Sequence, residues 1–300
     1  MRVRRYFSLI FAAMFIFMSG CCNNLDKTKC KSGGGLEPKV LGYGQEAFKI
    51  GELIYSSDFT YPENWIIQIQ PKDGFEQGKV VFENNKLDAF MPGRGCTIWF
   101  NKELHNGVTI VYDVVCPSES AETDGIQVRD INNFWMASGP PEASELFNPA
   151  DYSGAFLDYH KINCYYASTG GGGAKGNQTT RFRIYPRKVN GENVPHLALQ
   201  YRDGIEDYLI TPDKKHTIQL TAFDDIIQYI VDGKVVYEIK NGDEVKVQSI
   251  TDGGIEFEDS VYNTAKSEFP MYTKGYFGLR MVASHHLYSN FRVYKLDALK

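Results

Sequence analysis

Short β-rich runs separated by turn residues recur along nearly the whole chain, and no stretch carries a sustained helical period. The runs are Lys79–Phe82, Thr97–Phe100, Val108–Val115, Gly125–Arg129, Phe134–Ala137, Asn163–Ala167, Arg181–Tyr185, Leu197–Tyr201, His216–Phe223, Ile226–Val231, Lys234–Lys240, Gly275–Val282 and Asn290–Leu296. Gly, Asn and Asp punctuate them, as in Glu83-Asn84-Asn85. The clearest hairpin joins Ile226–Val231 to Lys234–Tyr237 through Asp232-Gly233, a pair that accepts the positive φ of a tight turn. A single short helix is expected near Pro141–Phe147. From Glu37 to Lys300 the chain shows neither an internal repeat nor a second linker. That segment, residues 37–300, is therefore expected to be one all-β domain, a two-sheet antiparallel sandwich or jelly roll.

The N-terminus reads differently. Arg2, Arg4 and Arg5 precede Tyr6–Met18, an uncharged run too short for the ~20 apolar residues that span a bilayer and suited to a signal peptide. The run ends in Met18-Ser19-Gly20-Cys21, which resembles the lipobox of bacterial lipoproteins, with Met where Leu is usual. The resemblance implies cleavage after residue 20 and lipidation of Cys21. The alternative is an ordinary signal peptide beside a free cysteine. Residues 21–36, polar and containing Gly33-Gly34-Gly35, read as a flexible tether. The expected location is the bacterial cell envelope, at the outer membrane or cell surface, with the membrane reached through the lipid.

Without residues 1–20 the chain keeps 29 Lys and Arg against 37 Asp and Glu, a net charge near −8. No basic block stands out, so a nucleic-acid partner is not expected. Nineteen Tyr and nineteen Phe suit stacking on sugar rings, although a large sheet core would use them equally. Cys96, Cys116 and Cys164 fall in or beside predicted strands, where an odd number argues against a full disulfide framework. One bridge is possible in an oxidising compartment, and small buried thiols are the blander reading. No C-x-x-C or H-E-x-x-H spacing occurs, so no catalytic transition metal or other cofactor is expected, while a structural calcium stays open.

The last hundred residues contain H-T-I-Q-L, then I-Q-Y-I-V-D-G-K-V-V-Y, then G-Y-F-G-L-R and N-F-R-V-Y-K-L. This order resembles the C-terminal half of concanavalin A-like lectin/glucanase jelly rolls. Tyr55-Ser56-Ser57-Asp58-Phe59 followed by Trp65 resembles their first strand. Y-Y-A-S-T-G-G-G-G-A-K-G-N-Q-T-T-R-F-R-I-Y, residues 165–185, is similar to a motif of a secreted, poorly characterised carbohydrate-active family associated with polysaccharide breakdown. The resemblance covers most of residues 50–298. It implies a fold that hosts lectins, hydrolases and lyases alike.

Alternation along the strands nominates a site. In Gly125–Arg129, Ile126 and Val128 are expected to face the core and Gln127 and Arg129 the ligand groove. In Thr180–Tyr185, Arg181, Arg183 and Tyr185 share the face opposite Thr180, Phe182 and Ile184. In Gly275–Ala283, Arg280 points away from Phe277, Leu279 and Met281. Arginines on a groove would bind carboxylate or sulfate bidentately and imply an anionic polysaccharide or oligosaccharide taken by a monomer. A solvated outer face is the competing placement. Elimination at a uronate needs a cation on the carboxylate, a base for the C5 proton and an acid for the leaving oxygen. His160 is the candidate base, Tyr165 or Tyr166 the acid, and Gln127 a carboxylate ligand. Jelly-roll lyases use such a set, but their Q-I-H and R-T-E-L strings are absent. The glycine-rich loop Gly170–Asn177 lacks G-K-[ST] and no helix follows, so it is not a phosphate loop. Asn177 at its end is a candidate sugar contact. His285-His286 are the second histidine candidate, expected at a turn, with closure of the groove by one of them as the alternative to a solvated placement.

A hydrolase alternative would need paired carboxyls ~5–5.5 Å apart, and the E-x-D-x-x-E string is missing. Glu256-Phe257-Glu258 imitates it within an expected loop. Asp124 with Glu142 or Asp158 is another possible pair. A non-catalytic surface glycan binder is the third reading, and an envelope protein without a sugar ligand the fourth.

Overall fold

The computed structural model describes residues 36–140, 142–172, 176–200, 205–266 and 269–300. Cys21 and the other candidate leader and tether positions up to residue 35 lie outside the described residues, as do Tyr201 and loop residues 173–175.

The described chain is built from nineteen strands. They are β1 (Phe48–Ser57), β2 (Trp65–Ile69), β3 (Lys79–Glu83), β4 (Lys86–Phe90), β5 (Gly95–His105), β6 (Val108–Val115) and β7 (Ile131–Ser138). There follow β8 (Asn163–Gly171), β9 (Thr179–Tyr185), β10 (Lys188–Val189), β11 (Glu192–Asn193), β12 (His196–Leu199) and β13 (Lys215–Phe223). The last are β14 (Ile226–Val231), β15 (Lys234–Ile239), β16 (Glu244–Thr251), β17 (Gly254–Val261), β18 (Lys274–Val282) and β19 (His285–Ala298). All pairings among them are antiparallel.

Two large sheets form a sandwich. One runs β15-β14-β13-β6-β19-β4-β3, with β1 also on β19. The other runs β17-β16-β12-β9-β8-β7-β18-β5-β2. The core lies between them. Phe277, Leu279 and Met281 of β18 and Phe182 and Ile184 of β9 meet Ile110, Tyr112 and Val114 of β6 and Phe291 of β19. Phe277 stacks on Phe291 at 5.4 Å. Polar groups caught between the sheets pair across them: Tyr112 donates to Asn133 Oδ1 at 2.5 Å, and the hydroxyls of Thr180 and Tyr237 bond at 2.9 Å. Such pairing removes the cost of desolvating each group alone.

The β14–β15 hairpin turns at Asp232, φ 51°, and Gly233, φ 73°, as its sequence requires. Ala143–Phe147, inside the expected helix, is a 3-10 turn. Three expectations are corrected. Gly125–Arg129 is a loop leading into β7, because Asp130 adopts φ 62° and Gly125 φ 77°, which break extended backbone. Glu256-Phe257-Glu258 lies inside strand β17 rather than a loop. His285-His286 open the long strand β19, and His286 is buried. Cys96, Cys116 and Cys164 are free and buried.

Candidate functional site

The outer face of the nine-stranded sheet carries a row set by register alone. Gln68 pairs Thr97, Thr97 pairs Arg280, Arg280 pairs Asn132, Asn132 pairs Ser168, and Ser168 pairs Arg181. Paired residues in adjacent strands share a face. The next row runs Ile66, Trp99, Gly278, Phe134, Tyr166, Arg183 and Ala198. A polar stripe thus crosses the sheet beside an aromatic one.

The β2, β5 and β18 part of this face is sealed. The segment between β7 and β8, which includes the 3-10 turns Ala143–Phe147 and Phe156–Lys161, lies over it. Leu146, Tyr152 and Tyr159 from this segment join Trp99, Phe134, Tyr166 and Tyr185 in a second apolar cluster. Gln68 fastens the cover. Its Oε1 accepts from Trp99 Nε1 at 2.9 Å and Tyr159 OH at 2.7 Å, and its Nε2 donates to Leu146 O at 2.7 Å. Gly154, φ 93°, sits so close that a Cβ would fall 2.5 Å from Gln70 N, so only glycine fits the contact.

What stays open is a groove of about 270 Å³ over β7, β8 and β9. Arg129, Arg181 and Arg183 line it with Asp130, Asn132, Tyr166, Ser168 and Phe156. Arg183 is buried, its guanidinium over the Tyr166 ring at 5.9 Å. Its Nε has no hydrogen-bond partner among the described residues, nor has the buried Asn132 Oδ1. Arg181 donates from Nε to Gln200 Oε1 at 3.3 Å. Burial first, then the neighbouring Arg183, pulls the Arg181 pKa down.

Arg129 is positioned from three sides. Its Nε donates to Asp130 Oδ2 at 3.0 Å and its Nη1 to Gln127 Oε1 at 2.9 Å. Its carbonyl accepts from His286 Nε2 at 2.8 Å, which fixes the proton on that nitrogen. His286 Nδ1 then accepts from Tyr288 OH at 2.7 Å. Asp130 is the one carboxylate among the described lining residues. Burial raises its pKa against the pull of Arg129 and Arg280. Burial likewise pushes Tyr166 up to about 12.

The structure separates the sequence candidates. Arg129, Arg181, Arg183 and Tyr166 come together in the groove. Gln127 stands beside it and engages Arg129. Tyr165 is corrected: one position away from Tyr166 on the strand, it faces the inter-sheet core, where its OH accepts from Tyr272 N at 2.8 Å. Asn177 is corrected too, since its amide is spent on the backbone N and O of Ile210, each at 2.9 Å. Arg280 points to the predicted face but is sealed under the cover, with its guanidinium near the rings of Phe156 and Tyr159. Its Nη1 donates to Cys96 O and Met281 O.

His160 is buried next to the groove, edge-on to Phe156 at 5.0 Å. Its Nε2 meets Arg187 Nη1 at 3.0 Å. A guanidinium only donates, so Nε2 is the acceptor and its lone pair is occupied. Burial first, then Arg187 and Arg183, hold His160 down at about 3. An imidazole so placed is a weak base with no free lone pair on Nε2, which corrects its assignment as the proton acceptor. Among the hydrolase acids, Asp158 turns back to Ser153, accepting from its N and Oγ at 2.9 and 2.6 Å.

Sequence reasoning missed Asp130, Asn132, Ser168 and Phe156. The first three were within reach: alternation in Ile131–Ser138 and Asn163–Gly171 places Asn132 and Ser168 beside Arg181, and Asp130 abuts Arg129. A larger cleft of about 440 Å³ lies at the sheet edge between Gln200, Tyr237, Lys246 and Phe257. Its lysine is already paired with Asp259, so it lacks the convergent cations of the groove.

No curated protein matches the chain. Among solved structures, a protein of unknown function with a galectin-like fold from Bacillus subtilis superposes at a TM-score of 0.55 and 16% identity, covering 83% of this chain and 98% of that one. A structure from work on endo-acting O-glycanases of the human gut microbiota that initiate mucin breakdown superposes at 0.50 and 11% identity, covering 82% and 100%. These likenesses are of fold: the two-sheet antiparallel sandwich is shared with a galectin-like jelly roll. The family model of the domain of unknown function DUF6250 matches residues 91–249, more than half of the chain, and the protein belongs to that family.

Proposed function

We propose that the protein is an envelope lipoprotein, anchored through Cys21, that binds an acidic polysaccharide in the arginine groove and cleaves it by β-elimination. The observation that carries the reading is the convergence of Arg129, Arg181 and Arg183 around one carboxyl, Asp130, with Tyr166 and Phe156 as aromatic walls. Three guanidiniums suit a uronate carboxylate, and aromatic faces suit a sugar ring. A single lining carboxyl does not furnish the pair that a retaining or inverting hydrolase uses.

In this mechanism the arginines neutralise the substrate carboxylate and so acidify C5–H. Asp130, whose raised pKa makes it a better base than an ordinary carboxylate, takes the C5 proton. The C4–O bond breaks as the C4=C5 double bond forms, and Tyr166 gives its proton to the leaving oxygen. His160 and Gln127 act as positioning residues through Arg187 and Arg129. The gut O-glycanase structure supports a glycan role to the extent that the same sandwich serves such work.

The test is to incubate the protein with a panel of uronate polymers and follow the ultraviolet absorbance of unsaturated uronate. Tyr166→Phe and Asp130→Asn are expected to lose about 10²–10⁴ of the rate while still binding. New saturated ends would replace elimination with hydrolysis. Binding without any new ends would leave a surface glycan binder.

A further inference from the structure

We infer that the groove receives the end of a glycan chain and not its interior, an inference that rests on the acidic-saccharide reading above. A chain bound along its middle must enter and leave, so it needs a groove open at both ends. Here the polar stripe continues from Ser168 and Asn132 to Arg280, Thr97 and Gln68, but the continuation is roofed. Arg280 is fully buried, and Phe156 and Tyr159 lie against its guanidinium at 5.5 and 5.7 Å. Gly95 leaves no room either, since a Cβ there would fall 2.4 Å from Gly154 O and 2.7 Å from Arg280 Nη2.

The roof is not a loose loop. Trp99 stacks on Phe134 at 5.7 Å, Phe134 meets Tyr159 at 5.6 Å, and Tyr152 stacks on Tyr159 at 5.6 Å, with all four rings buried. Gln68 ties strands β2 and β5 to Tyr159 and Leu146 by three buried hydrogen bonds. Opening this end would expose the rings and orphan the bonds together. The far side is different. Beyond Ser168 the stripe passes to the partly exposed Arg181 and on to Gln200. One terminal sugar therefore fits against Asn132, Ser168 and Phe156, and the remaining chain leaves across β9.

The full chain carrying Tyr166→Phe, which binds with little cleavage, is titrated by calorimetry with polygalacturonate, polymannuronate, polyguluronate and chondroitin sulfate, each intact and after cleavage to half its mean length. The expected result is that sites per unit mass of polymer double on halving for every polymer that binds. The same titrations of Arg181→Ala/Arg183→Ala, with folding checked by its unfolding midpoint, are expected to lose those sites. Sites per unit mass that stay constant overturn the chain-end inference and leave the acidic-saccharide reading standing. Sites that persist in the folded double variant lie elsewhere and overturn it as well. No binding to any of the four overturns the underlying reading, and the inference with it.

Discussion

Arg181 and Arg183 reach the groove because β9 alternates strictly, sending Phe182 and Ile184 into the core. Charge-assisted hydrogen bonds contribute roughly 1.5–3 kcal/mol, so Arg181→Ala should weaken an acidic saccharide about tenfold to a hundredfold, read as Kd. Asp130 makes the opposite prediction. Its pKa is raised by burial, so its ionised form costs stability in the fold, and that cost grows as pH rises through the folded value. Asp130→Asn should therefore raise the unfolding midpoint at neutral pH and bind the anion at least as well, while product formation falls. The face of each arginine was legible from a period of two. Burial was not, since Arg280 is on the expected face but covered by residues more than a hundred positions away in sequence. Nor could the period choose between Tyr165 and Tyr166, because neighbours on a strand always oppose each other. Only the partner strands decide which one meets Trp135 in the core and which meets Phe134 on the outer face.

At the scale of elements, the decisive piece is the segment between β7 and β8 that roofs part of the sheet. Its anchorage predicts that Gln68→Ala costs roughly 2–4 kcal/mol by leaving Trp99 Nε1 and Tyr159 OH without an acceptor, measured by denaturant unfolding. Apolar spacing gave no hint of this role, because a lone glutamine in Trp65–Ile69 reads as an outward polar residue. The strands were more legible than the loops. Val108–Val115 and Ile226–Val231 appear with the expected bounds, since both are long apolar runs ended by turn residues. Gly125–Arg129 carries a strand-like pattern, yet the positive φ at Gly125 and Asp130 bends it into the loop that delivers Arg129. Local pattern there yields to the groove's geometry.

Across the whole molecule, three buried histidines link the site to stability. His160 is held at about 3, and His196 and His286 at about 4, burial being the largest cause in each. Between those values and the ordinary imidazole value of 6.5 the unfolded chain binds more protons than the fold. The stability they contribute is complete above that ordinary value and is lost as pH falls through the folded ones. Acidification below it should steadily lower the urea midpoint, and His286→Gln should flatten that slope. At the N-terminus, Cys21→Ser should abolish incorporation of a labelled fatty acid and release the protein from the membrane fraction. The all-β sandwich was legible because turn chemistry repeats along the whole chain, whereas the site depends on contacts between distant strands. The central claim, that the groove reads negative charge on a sugar, is tested most directly by titrating one uronate polymer before and after its carboxyls are reduced to alcohols. The account predicts that binding is lost on reduction and also lost for the acidic polymer in Arg181→Ala/Arg183→Ala. Equal affinity for the acidic and reduced polymers would contradict it.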